Sequence, residues 1–239
     1  MAYQKKRMGQ VKGCVKQPSG VILCYQRSLM NYIMENHKTT ALAGSYRGLL
    51  SLDETGGKVA VTGNFGIGAP AAVTVMEDLI ASGVAKFISV GSAGTLQKHI
   101  KPGDLMVCER AIRDEGTSHH YLKPAKYAHA SKEMSARIKK ALDQAGLGYF
   151  TGTSWTIDAP YRETVAEARR YQKEGVATVE MEASALFAVA QFRKAEIGAI
   201  FTVSDSLAEL RWKPKFHSRK TKKGLEVLYR AAVSALLAG

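Results

Sequence analysis

Residues 176–190, VATVEMEASALFAVA, decide how this chain is read. The first part has the β-branched, apolar character of a strand, and the second is an alanine-rich run of helical character. Glu180 and Glu182 stand at the join, on either side of Met181. A strand passing directly into a helix is the unit of an α/β sheet, and in such sheets ligands gather where strands end. Two acids at the mouth of a segment otherwise built of Val, Ala, Leu and Phe are an expensive way to start a helix. If extended geometry persists through the join, both carboxylates face one side and Met181 the other. A carboxylate accepting from two neighbouring hydroxyls holds a sugar diol, at roughly 1.5–3 kcal/mol per charge-assisted bond, and a ribose is therefore expected against these acids.

The alternation continues in both directions. Strands are expected at Val21–Leu23 and in a hairpin, Tyr46–Leu52 with Lys58–Gly63, around the turn residues Asp53–Gly57. GNFGIGAP (63–70) leads into a helix over Ala71–Ser82, with Pro70 suited to its first turn. The strand Lys86–Val90 empties into GSAG (91–94), and Asp104–Ile112 is a further strand. RDEGTSHHYL (113–122) reads as too hydrophilic for a core. A helix Ser131–Ala145, a strand Tyr149–Trp155, a helix Arg162–Tyr171, a strand Ile197–Ser204 running into TVSDSL (202–207), and a helix Thr221–Leu237 complete the pattern. Strands alternating with helices predict a sheet covered on both faces. Residues 1–239 read as a single domain, with 1–19 as a flexible N-terminal extension and Glu209–Lys223 as the best linker.

With 239 residues, 46% of them apolar, the chain can bury a substantial core. It has no run of 18 apolar residues, and no apolar segment follows the basic start MAYQKKRMGQVKG, so a soluble cytoplasmic protein without a membrane partner is expected. Cys14, Cys24 and Cys108 are far apart, with no C-x-x-C pair; they read as reduced, buried thiols, and no metal site is expected. The net charge of +13 favours anionic partners. RWKPKFHSRKTKK (211–223) holds few aromatics and has no accompanying RNA-binding motif, so it reads as a solvated helix entry that attracts phosphate, and nucleic acid is not expected as a partner. His119 and His120 read as part of a solvated loop, since adjacent histidines seldom present both rings to one ion.

The glycines of GNFGIGAP and GSAG let a ligand approach backbone N–H groups. Neither stretch is G-x-G-x-x-G or a Walker loop with its lysine, which argues against nicotinamide and ATP sites. Asp205, ending an apolar strand, is either a helix cap or a functional acid.

Taken in order, GNFGIGAP, FISVGSAGTLQKHIKPGD, AIRDEGTSHHYL, VEMEASALFAVA and TVSDSL closely resemble the nucleoside phosphorylase family that includes uridine phosphorylase and the hexameric purine nucleoside phosphorylases, over about Val21–Leu207. The resemblance implies a three-layer α/β/α fold around a mixed, partly barrel-like sheet. It also implies phosphate-dependent cleavage of a nucleoside's N-glycosidic bond to free base and ribose 1-phosphate, with no metal or organic cofactor. In the family pattern Glu182 binds the ribose hydroxyls, Met181 packs on the sugar and Glu180 supports this ribose-binding loop. Ser92 donates to phosphate, and Gly94 lies under the base. Arg47 matches an arginine lent to a neighbouring subunit's phosphate site, so a homodimer or homohexamer is expected. Asp205 matches an acid that protonates N7 of a purine. Trp155 or Ile157 is expected against the base, and Tyr161 and Glu163 stand where uridine-specific members carry a glutamine and an arginine.

The chain departs from the pattern at the phosphate site. LCYQRSL (23–29) replaces the G-D-P-x-R loop, leaving Arg27 as the substitute cation, and Ser89 stands where the family carries arginine. The related nucleosidases rely on a glutamate soon after the first strand, and Gly20–Met34 contains no acid. Phosphorolysis of a purine nucleoside is the expected activity. The alternatives are a nucleosidase using water and a nucleoside-binding protein with impaired catalysis.

Overall fold

In the computed structural model, which describes residues 17–42 and 48–238, strand β1 (Gly20–Cys24) is buried along its whole length. Val21 and Leu23 enter one core cluster, Ile22 and Cys24 another. This period-two division is what a strand covered on both faces requires. On the first side lie α2 (Ala69–Ala81) and α5 (Ala183–Arg193), which bring Val75, Leu79, Leu186 and Phe187 to the core. On the second lie α1 (Arg27–Asn36), α3 (Lys132–Gln144) and α6 (Arg219–Leu237), with Leu29, Ile33, Ile138, Leu142 and Leu228. The chain therefore has the expected three layers, α/β/α.

Between the helices, β1 is flanked in parallel by β4 (Val59–Thr62) and β5 (Lys86–Thr95). The antiparallel strands β3 (Leu49–Leu52) and β2 (Thr39–Ala41) extend the sheet beyond β4. On the other side the sheet closes. β5 pairs with β10 (Glu196–Ser206), β10 with β6 (Leu105–Asp114), β6 with β8 (Phe150–Ile157), β8 with β9 (Thr178–Glu180), and β9 returns to β5. These five strands form a barrel of mixed direction, and closure removes the edges that an open sheet would leave there. The short β7 (Tyr127–His129) adds to β6, and β11 (Lys213–Pro214) to β10.

Two differences from the sequence reading bear on the site. GSAG and VSDS are not turns after strands: β5 runs on to Thr95 and β10 to Ser206, because each continues into barrel pairing that the apolar pattern does not announce. The segment 113–122 is also not a solvated loop. Arg113, Glu115 and Ser118 are buried, and they satisfy one another and the local backbone: Arg113 donates to Ser118 Oγ and to the carbonyls of Ser118, Leu122 and Lys123, while Glu115 accepts from Ser118 N and Ser184 Oγ. A fully paired polar network is tolerated inside a protein. The helix α4 (Val165–Lys173) begins three residues later than expected, behind Thr164, whose hydroxyl and the Glu167 side chain form a capping box. The α1 helix was not expected, and its buried face rests on only Leu29, Met30 and Ile33.

Candidate active site

The parallel register of β5 and β10 runs to Ala93 opposite Val203, then shifts so that Asp205 lies opposite Gly94. Ser204 is the extra residue of a bulge, a device that re-aims neighbouring side chains. It turns the Asp205 carboxylate over Gly94, where a Cβ would come within 2.8 Å of Oδ2. Glycine at 94 is thus a steric requirement of this acid. Ser204 Oγ donates to Asp205 Oδ1 at 2.7 Å and Trp212 Nε1 to Oδ2 at 2.9 Å. Burial pushes Asp205 above the ordinary carboxylate range, and these two donors pull it back.

Asp205 and Gly94 lie on the wall of a cavity of about 560 Å³. Ser92 and Gly91 continue that wall along β5, and beside them Gln26 Nε2 donates to Ser92 Oγ at 2.9 Å, while Tyr25 Oη and Ser89 Oγ are 3.0 Å apart. The buried Oε1 of Gln26 has no hydrogen-bond partner among the described residues. Opposite stand Met181 and Glu182, and the mouth carries Ile67, Tyr161, Trp212 and Phe216.

The two acids of the opening stretch have different environments. Glu180 ends β9, and its carboxylate is occupied by the fold. Oε1 accepts from Thr156 Oγ1 at 2.6 Å and Ser154 Oγ at 3.2 Å, and Oε2 accepts from the backbone N–H groups of Glu182 and Ala183 at 2.8 and 2.7 Å. Those two N–H groups are among the orphan donors of α5, and Thr156 Oγ1 takes a third, from Ser184. Glu180 thus anchors the helix start, even though burial raises its pKa.

Glu182 precedes α5 and caps nothing with its side chain. Its Oε1 accepts from Gly68 N at 2.5 Å. Gly68, with φ of 93°, and Gly66, with φ of 97°, lie in the backbone region that only glycine occupies readily, so GNFGIGAP can bring an amide to this carboxylate. Burial, and after it the charge of Glu180, raises Glu182 to about 8. A bidentate pair, Arg193 to Glu77 at 2.9–3.0 Å, joins the last residue of α5 to the second half of α2.

Among the expected site residues the fold brings together Ser92, Gly94, Glu180, Met181, Glu182 and Asp205. It does not bring Arg27, Trp155 or Ile157 to the cavity. Arg27 is exposed on the first turn of α1, and its neighbour Gln26 lines the wall instead. Trp155 is fully buried, packed on Tyr171, with Nε1 donating to Asp114 Oδ2 at 2.8 Å. Ile157 belongs to the same core cluster. The alternation of β8 sends both side chains away from the cavity. Arg47 lies outside the described residues. His119 and His120 are exposed and do not line the cavity.

Four wall residues, Tyr25, Gln26, Trp212 and Phe216, were missed. The first two lie beside Arg27, where charge drew attention. The last two lie in the basic stretch expected as a linker, and their signal was the pair of aromatics itself. That stretch folds back as β11 and the start of α6, and its cations from Arg219 onward line a different part of the surface. Lys101, Arg219, Lys220, Lys222 and Lys223 surround a separate groove of about 1060 Å³, together with Asp104 and Glu226.

The family profile described as Phosphorylase superfamily matches residues 28–237. The chain is 31% identical over 150 residues to a purine nucleoside phosphorylase of Plasmodium vivax, covering 62% of this chain and 60% of that one. Against a uridine phosphorylase of Thermococcus kodakarensis the identity is 30% over 176 residues, 67% of this chain and 59% of the other. The chain thus spans about 60% of the length of these relatives. A DeoD-type purine nucleoside phosphorylase of Bacillus cereus is 32% identical over 167 residues, 67% of this chain and 70% of its own length. Among solved structures, uridine phosphorylase from Vibrio fischeri superposes with a TM-score of 0.74 at 28% identity, covering 93% of this chain and 92% of that one. A purine nucleoside phosphorylase from Toxoplasma gondii shares the fold with a TM-score of 0.79 at 20% identity, over 93% and 91% of the two chains.

Proposed function

This chain belongs to the phosphorylase superfamily, and from that premise we propose that it cleaves the N-glycosidic bond of a purine nucleoside with inorganic phosphate, releasing the base and ribose 1-phosphate. One observation carries the reading. A hydroxyl with a neighbouring amide, Ser92 and Gln26, and an acid above a glycine, Asp205 and Gly94, are set two residues apart along β5, and Glu182 lines the same cavity. Two residues of strand span about 6.6 Å, a distance suited to a sugar with an anion at one end and a base at the other.

Bond cleavage makes the ribose electron-poor and the base electron-rich. Glu182 accepts from the 2′- and 3′-hydroxyls and fixes the ring, with Met181 against it and Glu180 holding the loop. Phosphate, taken by Ser92, attacks C1′ as the bond to the base nitrogen breaks and its electrons pass to the base. Asp205, raised by burial, gives a proton to N7. No cofactor enters this scheme. Arg47 is assigned to the phosphate of a neighbouring subunit, which makes the active protein a dimer or a hexamer of dimers. The purine preference rests on Asp205; the curated relatives act on purine nucleosides and on uridine by name.

Hydrolysis is the second reading. It is favoured by the neutral Tyr25 and Gln26 filling the wall beside Ser92, where a phosphate dianion calls for cations. Incubation with inosine, adenosine, guanosine, uridine and methylthioadenosine, with and without phosphate, separates the two. Ribose 1-phosphate formed only with phosphate is expected; free ribose in both conditions overturns phosphorolysis.

A further inference from the structure

The base end of the cavity holds a second acid that the reaction above does not use. Glu163 lies between the short 3-10 turn Pro160–Arg162 and α4, half-buried, on the same wall as Asp205. We propose that Glu163 and Asp205 form an acid pair that holds one proton against the base, with Glu163 its resting place. The proposal rests on the nucleoside-cleaving reading of this cavity.

Three observations support it. Both carboxyls line one cavity, and Val179, beside Gly94, and Leu207 and Trp212, close to Asp205 in the chain, line it with them. Each oxygen of Asp205 accepts a hydrogen bond from a neutral donor, Ser204 or Trp212, an arrangement that favours its ionised form. Among the described residues no donor is bonded to Glu163. Burial, and then the charge of Asp205, raises Glu163 to about 7. The two donors on Asp205 favour the charge there and leave the proton to Glu163. The other charged groups on the surrounding elements include Glu180 on β9, Glu182 before α5, Arg162 in the adjoining turn, Glu167, Arg169, Arg170 and Lys173 in α4, and the exposed Glu209, Arg211, Lys213 and Lys215 around Trp212. Glu167 is engaged by Thr164 and Lys213 by Glu209.

Chemically, the pair enters the reaction with one proton and one negative charge. As the C1′–N bond breaks, its electron pair goes to the base, and the stored proton passes from Glu163 to Asp205 and on to a ring nitrogen. The two carboxylates are left ionised and regain a proton from water before the next turnover. Two like charges close together disfavour the doubly ionised state, which drives the proton toward the leaving base. A pocket with two acids at this end also selects bases that present a ring nitrogen for protonation.

Two experiments test this. In the first, carboxyl carbons of glutamate and aspartate are labelled and titrated by NMR in the wild type and in Asp205→Asn, without substrate. Glu163 is expected to titrate near neutrality in the wild type and to fall by about one unit or more once the neighbouring charge is gone. A Glu163 in the ordinary carboxylate range, or one unmoved by Asp205→Asn, overturns the pair. In the second, kcat for inosine is followed against pH in Glu163→Gln, a substitution that keeps the volume of this half-buried side chain and removes its titration. The basic limb is expected to move to lower pH, with kcat above neutrality reduced about tenfold, while a 7-methylguanine nucleoside, whose base leaves without protonation, is little changed. An unmoved limb, or an equal loss on both substrates, overturns proton storage at Glu163. A coupled titration in a protein that cleaves no nucleoside would sink the reaction and keep the pair; cleavage with an uncoupled titration would sink the pair and keep the reaction.

Discussion

The cavity at the end of β5 and the groove at the start of α6 carry opposite charge. Glu163, Glu180, Glu182 and Asp205 line the first, and Lys101, Arg219, Lys220, Lys222 and Lys223 crowd the second. The acids are buried or half-buried and raised in pKa by that burial; the cations are exposed. The chain's +13 is therefore a property of its outer surface. It can gather anions through a long-range field, but the chemistry proposed for the interior depends on carboxyls that the net charge conceals.

The comparison breaks hardest at Asp205. Asp205→Asn is expected to slow purine nucleosides by roughly 10²–10⁴-fold, the span of general acid catalysis, and a 7-methylguanine nucleoside much less. Steady-state rates on both substrates check this; equal losses would make Asp205 a shaping residue only.

Glu182→Gln comes next. Loss of the carboxyl that accepts from two hydroxyls should lower kcat/KM by about 10²-fold, with an unchanged circular dichroism spectrum. The same substitution has a stability signature. Glu182 is raised from 4.5 to about 8, so the folded state holds its proton more tightly than the unfolded one. Its contribution is complete below pH 4.5 and is lost as pH rises through about 8. The wild-type Tm should decline across that window, and Glu182→Gln should flatten the decline, leaving the variant higher by roughly 2–4 °C at pH 9. Parallel Tm curves for the two proteins would mean that Glu182 is not buried as a carboxyl.

The smallest effect belongs to the groove. Lys220→Glu with Lys222→Glu should leave kcat within about 3-fold and chiefly reduce the salt dependence of kcat/KM, since these charges act through a screened field. A loss of kcat that salt does not alter would place the groove in the site.

Much of this was legible in the chain. The uninterrupted burial of β1, the period-two division of its side chains and the strand-to-helix join at Glu180–Ala183 follow from local pattern, and GNFGIGAP announced a backbone that only glycines could form. What escaped was decided by pairing at a distance. Closure of the barrel turned GSAG and VSDS into strand, and the bulge at Ser204 set Asp205 over Gly94. Trp155 was placed against the base because it stands near the right motif, but a one-residue alternation sends it into the core. Arg27 was chosen for its charge, although the first turn of α1 points it to solvent. Arg113 and Glu115 looked exposed because a sequence lists polar residues without their partners.

The chain's two tryptophans divide as the two sides of the cavity wall do. Trp155 is sealed at 0% exposure, whereas Trp212 is 58% exposed, with its indole N–H on Asp205 and its ring beside Phe216. The protein thus carries its own optical reporter. Emission from Trp155 supplies a constant background that acrylamide cannot quench, and emission from Trp212 originates at the entrance itself. A molecule that fills the cavity comes beside this fluorophore, so occupancy can be followed without a label and without turnover.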